Sequence, residues 1–180
     1  AFGVAFVLTG VLGFKEETAS VTSDQVEAVI EEEQETEDGN NGELILASPL
    51  KGRVIPLSEV PDETFASGVL GNGVGIQPAE GKVYAPFDCT VAAVFDTKHA
   101  IGLESPDGVE LLIHIGMDTV KLNGEPFTVY VEAGETVKAG GLLAAFDMDK
   151  IKAAGLDTVT PVIVTNPGKY KSIKIIGRQS

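Results

Sequence analysis

The sequence predicts an all-β domain, an antiparallel sandwich or barrel with one or two short helices. Two observations carry this. From Leu44 onward, short apolar runs follow one another at close intervals, separated by Gly, Pro, Asp and Asn. Against these many runs, one stretch alone has helical spacing. The 21 glycines in the 180-residue chain suit a domain with that many turns.

In chain order the strand-like runs are ELILAS, GRVIPL, GVGIQP, KVYAPF, TVAAVF, HAIGLE, VELLIHI, FTVYVEAG, GLLAAF and TPVIVTN. The exception is DMDKIKAAGLD, which has helical spacing and a glycine to stop it. LASPLKGRV and YAPFDCTV share a pattern, but β proteins often resemble themselves, and no duplication follows from it.

Ahead of the domain the character differs. Residues 15–43 contain eleven acids and one lysine, so this segment contributes −10 of the net −14. The remainder, sixteen acids against twelve bases, is ordinary at −4. The acidic stretch lacks the apolar surface to fold alone and is expected to be a flexible linker. Without a basic stripe elsewhere, nucleic acid is not an expected partner. Residues 1–14 carry no charge and are expected to be the end of a transmembrane helix, shorter than the roughly 20 residues a full span needs. The single Cys89 cannot form an internal disulfide, which suits a reducing cytoplasm. The expected organisation is thus 1–14 membrane end, 15–43 linker, 44–166 domain and 167–180 tail.

Both histidines, His99 and His114, lie on two runs that flank SPDG and read as a hairpin. With a four-residue loop, Ser105–Gly108, Glu104 faces Val109 and His99 faces His114. Opposed Cβ atoms would then lie roughly 5 Å apart. With a three-residue loop, Pro106 starts a type I turn and Gly108 supplies a bulge. Ile101 then faces Ile113, Leu103 faces Leu111, and the pleat should send the histidines to opposite faces. Periodicity does not choose between these.

Two facing imidazoles have three uses. They could supply half of a zinc site, but no HxH or HExxH spacing completes it. They could be ordinary core or surface histidines. Or one could be a nucleophile toward phosphorus while the other steadies the charge on the transferred group.

The run FDTKHA, then GLESPDGVELLIHIGMDTVKLNGEPF, closely resembles the glucose-type enzyme IIA domain of the bacterial sugar phosphotransferase system. The likeness extends from LASPLKGRV through AGETVKAGGLLAAFD to TPVIVTN, most of Leu44 to Asn166. The resemblance implies a β-sandwich and favours the pairing of His99 with His114. It implies that His114 accepts a phosphoryl group from a small histidine-containing phosphocarrier protein and passes it to a cysteine on a IIB domain. His99 would donate a hydrogen bond to that group, and Thr97 would orient His99. Phe65 and Phe95 match apolar residues where carriers dock, and Asp118 matches an acid near the pocket. No cofactor or metal is implied. The opening AFVLTGVLGFKEE resembles the end of a fused membrane IIC domain, which implies a cytoplasmic domain tethered to the inner membrane face. Relatives commonly run on past NPGKYKSIKIIGRQS with another Gly-containing strand, so an altered or truncated end is expected here.

Rival readings are weaker. A lipoyl or biotinyl carrier would need its lysine at a tight hairpin tip, whereas Lys150 starts the helical stretch. GNGVG at Gly71–Gly75 precedes a strand, so no helix N-terminus is available for phosphates.

Overall fold

A computed structural model describes residues 43–170 and 172–177. The apolar stretch 1–14 and almost all of the acidic stretch lie outside the described residues. Among those described, no helix is long and apolar enough to cross a membrane.

Among the described residues, twelve strands build three sheets. In chain order they are β1 (Glu43–Ala47), β2 (Gly52–Pro56), β3 (Asn72–Pro78), β4 (Lys82–Tyr84), β5 (Cys89–Val94) and β6 (Ala100–Glu104). There follow β7 (Glu110–His114), β8 (Phe127–Val129), β9 (Thr136–Val137), β10 (Leu142–Phe146), β11 (Thr160–Val164) and β12 (Ser172–Ile176). A seven-stranded antiparallel sheet has the order β2-β3-β11-β7-β6-β5-β9, and β4-β10-β8 form a second. β1 and β12 form a parallel pair, so residues predicted as a tail contribute a strand. The described residues include two α-helices, α1 (Glu63–Ala66) and α2 (Met148–Ala153). The second is the predicted one. Asp147 caps it by accepting from the Asp149 and Lys150 N–H groups at 3.1 and 3.0 Å, and Gly155 follows at φ +75°. Lys150 lies within α2, away from any hairpin tip.

The pleat divides the core into two clusters. Leu111, Ile113, Val162 and Val164 point toward the three-stranded sheet and pack with Val83, Leu143, Ala144 and Phe127. Leu112 and Ile163, register partners, point the other way and pack with Ile55, Val60, Phe65, Met117 and Val159. Each fully buried Ile or Val contributes roughly 1.5–3 kcal/mol relative to exposure. His114 shares the parity of Leu112 along β7. It therefore belongs to the smaller cluster's face, which the segment around α1 covers.

The hairpin register corrects the favoured expectation. Ala100 faces His114, Ile101 faces Ile113 and Glu104 faces Glu110. The loop has three residues: Gly108 N–H reaches Ser105 O at 2.9 Å, and Ser105 N–H reaches Val109 O at 3.0 Å. Gly108 sits at φ +77°, as the bulge requires. This register wins because Pro106 and Gly108 both occupy the backbone conformations they prefer. It does not part the histidines, however. His99 lies one residue outside β6, after Lys98 at φ +58°, so the pleat does not fix its side-chain direction.

Candidate functional site

The site forms where β5 and β7 end and β6 begins, and three segments supply it. The first is the turn from β5 to β6. Lys98 N–H bonds to Phe95 O at 2.7 Å, closing a turn that projects Phe95, Thr97 and His99. His99 is only 7% exposed. Its Nδ1 lies 2.6 Å from Thr97 Oγ1, and its ring meets Phe95 edge-on with centroids 5.5 Å apart. Phe95 itself is 47% exposed, an apolar ring facing solvent beside a buried imidazole.

The second loop follows β7. Gly116 takes φ +72°, and its carbonyl accepts a hydrogen bond from His114 Nδ1 at 2.9 Å. A carbonyl can only accept, so Nδ1 carries the proton and the neutral ring presents the lone pair at Nε2. Asp118 stands at φ +60°, largely exposed, with its Oδ2 2.7 Å from Lys121 Nζ. It reaches His114 as a nearby charge.

The third is the single turn α1. Asp62 caps it, its Oδ1 accepting from Thr64 N–H at 2.9 Å and Phe65 N–H at 3.2 Å. Phe65, buried in the smaller cluster, lays its ring 4.9 Å from that of His114. The two imidazoles stand nearly perpendicular with centroids 4.8 Å apart.

Burial lowers the pKa of both histidines. For His99 the neighbouring His114 adds to the effect. For His114 the Gly116 carbonyl, Asp62 and Asp118 oppose it without reversing it. A ring held neutral near pH 7 keeps its lone pair.

Of the six residues singled out from sequence, His114 closes β7 and the other five lie on these three segments. Phe65 and His99 each touch His114, Phe95 and Thr97 touch His99, and Asp118 acts at longer range. Sequence reasoning missed Asp62 and Gly116. Pro-Asp before a short polar stretch was a legible helix-start signal for Asp62. Gly116 had no distinguishing sign among 21 glycines. Further apolar side chains stand exposed on the same segments: Val120 just beyond Asp118, and Val69 and Leu70 just beyond α1. Among the described residues, no group of three or more His, Cys, Asp or Glu side chains could hold a metal ion.

Fold and comparisons define the class, a component of the sugar phosphotransferase machinery. Residues 44–170 match the model of the phosphoenolpyruvate-dependent sugar phosphotransferase system, EIIA 1 family. The chain belongs to that family. It is 48% identical over 163 residues to the PTS system glucose-specific EIICBA component of Staphylococcus saprophyticus, covering 91% of this chain and 23% of the relative. It is 51% identical over 136 residues to the PTS system beta-glucoside-specific EIIBCA component of Bacillus subtilis, covering 74% and 22%. Among solved structures it resembles glucose permease IIA from Mycoplasma capricolum, with a TM-score of 0.64 and 38% identity over 67% of this chain and 78% of that one. The chain thus spans under a quarter of the length of these two curated relatives.

Proposed function

We propose that this domain is a phosphoryl relay in sugar uptake, with His114 Nε2 as the atom that carries the group. The observation that supports it most is the bond from His114 Nδ1 to the Gly116 carbonyl at 2.9 Å, with His99 beside it. The donor is a histidine-containing phosphocarrier protein. Its N–P bond breaks as a P–N bond forms at Nε2, and the Nδ1 proton stays on the ring, donated to the Gly116 carbonyl. No proton need leave His114, and no metal or nucleotide is required. Thr97 Oγ1 lies 2.6 Å from His99 Nδ1, and with the hydroxyl as donor the His99 Nε2–H is left to donate to a phosphoryl oxygen. Charge spreads over those oxygens in the transition state, so a fixed donor there lowers the barrier.

Phe95 and the exposed Val69, Leu70 and Val120 give carriers an apolar surface on which to dock, and Phe65 limits water access. Onward transfer goes to a cysteine of a IIB domain. The sugar is selected by a fused membrane IIC domain, and the acidic stretch tethers this domain at the cytoplasmic face of the membrane.

Incubation with the general phosphotransferase components and phosphoenolpyruvate, followed by mapping of acid-labile phosphate, tests the reading. His114→Ala should accept none. His99→Gln should still accept, because an amide keeps a donor, while onward transfer slows. Normal histidine labelling in His114→Ala would sink the assignment.

A further inference from the structure

The Asp118-Thr119-Val120 motif contains a residue that neither the relay nor the docking surface uses. Thr119 is 0% exposed. Valine would fill the same space, so its hydroxyl calls for a reason. That hydroxyl donates to the Ile115 carbonyl at 2.5 Å. The Ile115 N–H in turn donates to the His99 carbonyl at 2.7 Å. Ile115 is thereby held at both polar ends, once by Thr119 and once by the backbone of the other histidine.

Gly116 lies between two peptide planes, and each has its own clamp. The plane joining 115 to 116 is fixed through the Ile115 carbonyl by Thr119. The plane joining 116 to 117 is fixed through Met117 N–H, which donates to Asp157 O at 2.9 Å. In a trans peptide the N–H and C=O point opposite ways. Holding Met117 N–H toward Asp157 therefore turns the Gly116 carbonyl away from Asp157, toward His114 Nδ1. Packing adds to this: a Cβ at Gly116 would lie 2.6 Å from Thr119 Cγ2 and 2.8 Å from Asp157 O. Glycine is the most permissive residue for peptide rotation. Without the hydroxyl clamp, one of the two restraints on this loop is gone.

We propose that Thr119 is a positioning residue whose hydroxyl, through Ile115 and Gly116, selects which imidazole nitrogen of His114 is left unprotonated. This rests on the relay for its consequence, since the selected nitrogen is the one that bonds phosphorus. The tautomer itself can be observed without any phosphoryl donor.

The test uses the whole chain with Thr119→Val, which keeps the shape, and Thr119→Ser, which keeps the hydroxyl. Nitrogen-15 NMR of the unphosphorylated protein reads the His114 ring directly. Wild type and Thr119→Ser should show the Nδ1-protonated tautomer. Thr119→Val should show a mixture, with the tautomer ratio and the rate of phosphoryl acceptance both shifted about fivefold, the scale of one net hydrogen bond. Unchanged tautomer and rate in Thr119→Val, with only a lower melting temperature, would overturn the inference. If wild type accepts no phosphate, the relay fails, while the tautomer measurement still decides the role of Thr119.

Discussion

At its closed end the β6–β7 hairpin turns with residues suited to turning. Pro106 begins the loop, Gly108 takes the left-handed position at φ +77°, and Ser105 Oγ accepts from Val109 N–H at 2.9 Å. Asn166 clasps it from outside, its Oδ1 accepting from Glu110 N–H at 3.1 Å and its Nδ2 donating to Gly108 O at 2.8 Å. At the open end the chain behaves differently. Among the described residues, three non-glycine positions have positive φ: Lys98 at 58°, Asp118 at 60° and Asn123 at 50°. All three sit on the loops that follow β5 and β7, with Lys98 next to His99 in the chain and Asp118 near enough to His114 to act on it as a charge. A left-handed residue with a Cβ costs roughly 1–2 kcal/mol, less for Asp and Asn. The two ends of one hairpin thus separate two tasks. One closes the strands at low cost, while the other holds strained backbone to fix two imidazoles.

The largest test of that contrast is a pair of matched substitutions. Gly108→Ala adds a Cβ at a left-handed position in the turn and should cost about 1–2 kcal/mol. Gly116→Ala adds the same methyl at φ +72°, against Thr119 Cγ2 and the backbone oxygen of Asp157. Strain plus overpacking should bring its cost to about 3 kcal/mol or more, with phosphoryl acceptance lost. Denaturant titration of both variants measures the difference. Equal costs would mean that the site end is no more constrained than the turn.

A smaller effect should appear with pH. Burial pushes the folded pKa of both histidines below the 6.5 of an unperturbed imidazole. As pH falls through 6.5 the unfolded chain binds protons first, so stability drops and continues to drop until the folded pKa values are passed. Above that window the histidines contribute no slope. The closed end contains no histidine, so opening should begin at the site. Denaturation and amide exchange between about pH 7.5 and 5 should show this, and His114→Gln should flatten the slope. An unaltered slope in that variant would place the pH sensitivity elsewhere.

The same contrast explains what could be read from the sequence. Ten strands and α2 announce themselves through apolar runs and stop signals. β9 has two residues and α1 four, too short for any periodicity to register. β12 pairs in parallel with β1 from the far end of the described chain, a contact that nothing local encodes. The four-residue-loop register is wrong because Pro106 and Gly108 favour a three-residue loop, and the histidines still meet because Lys98 breaks the pleat before His99. The resemblance to the enzyme IIA family pointed to adjoining imidazoles. The turn at Lys98, and not a pairing of His99 with His114, brings them together.

Lys98 therefore offers the finest test. Lys98→Gly removes the left-handed penalty of roughly 1–2 kcal/mol but enlarges the freedom of the unfolded chain, so the net gain in stability should be about 1 kcal/mol or less. The turn that presents Thr97 and His99 should loosen, and onward transfer should slow even as the melting temperature rises. Lys98 also carries an ammonium group, so charge must be separated from backbone. Lys98→Asn does this, because asparagine tolerates φ near +58° and has no charge. Transfer near the wild-type rate in Lys98→Asn, with slowing in Lys98→Gly, assigns the effect to rigidity at the open end. Equal slowing in both would assign it to the lost charge, and the strained backbone would then be incidental to how His99 is aimed.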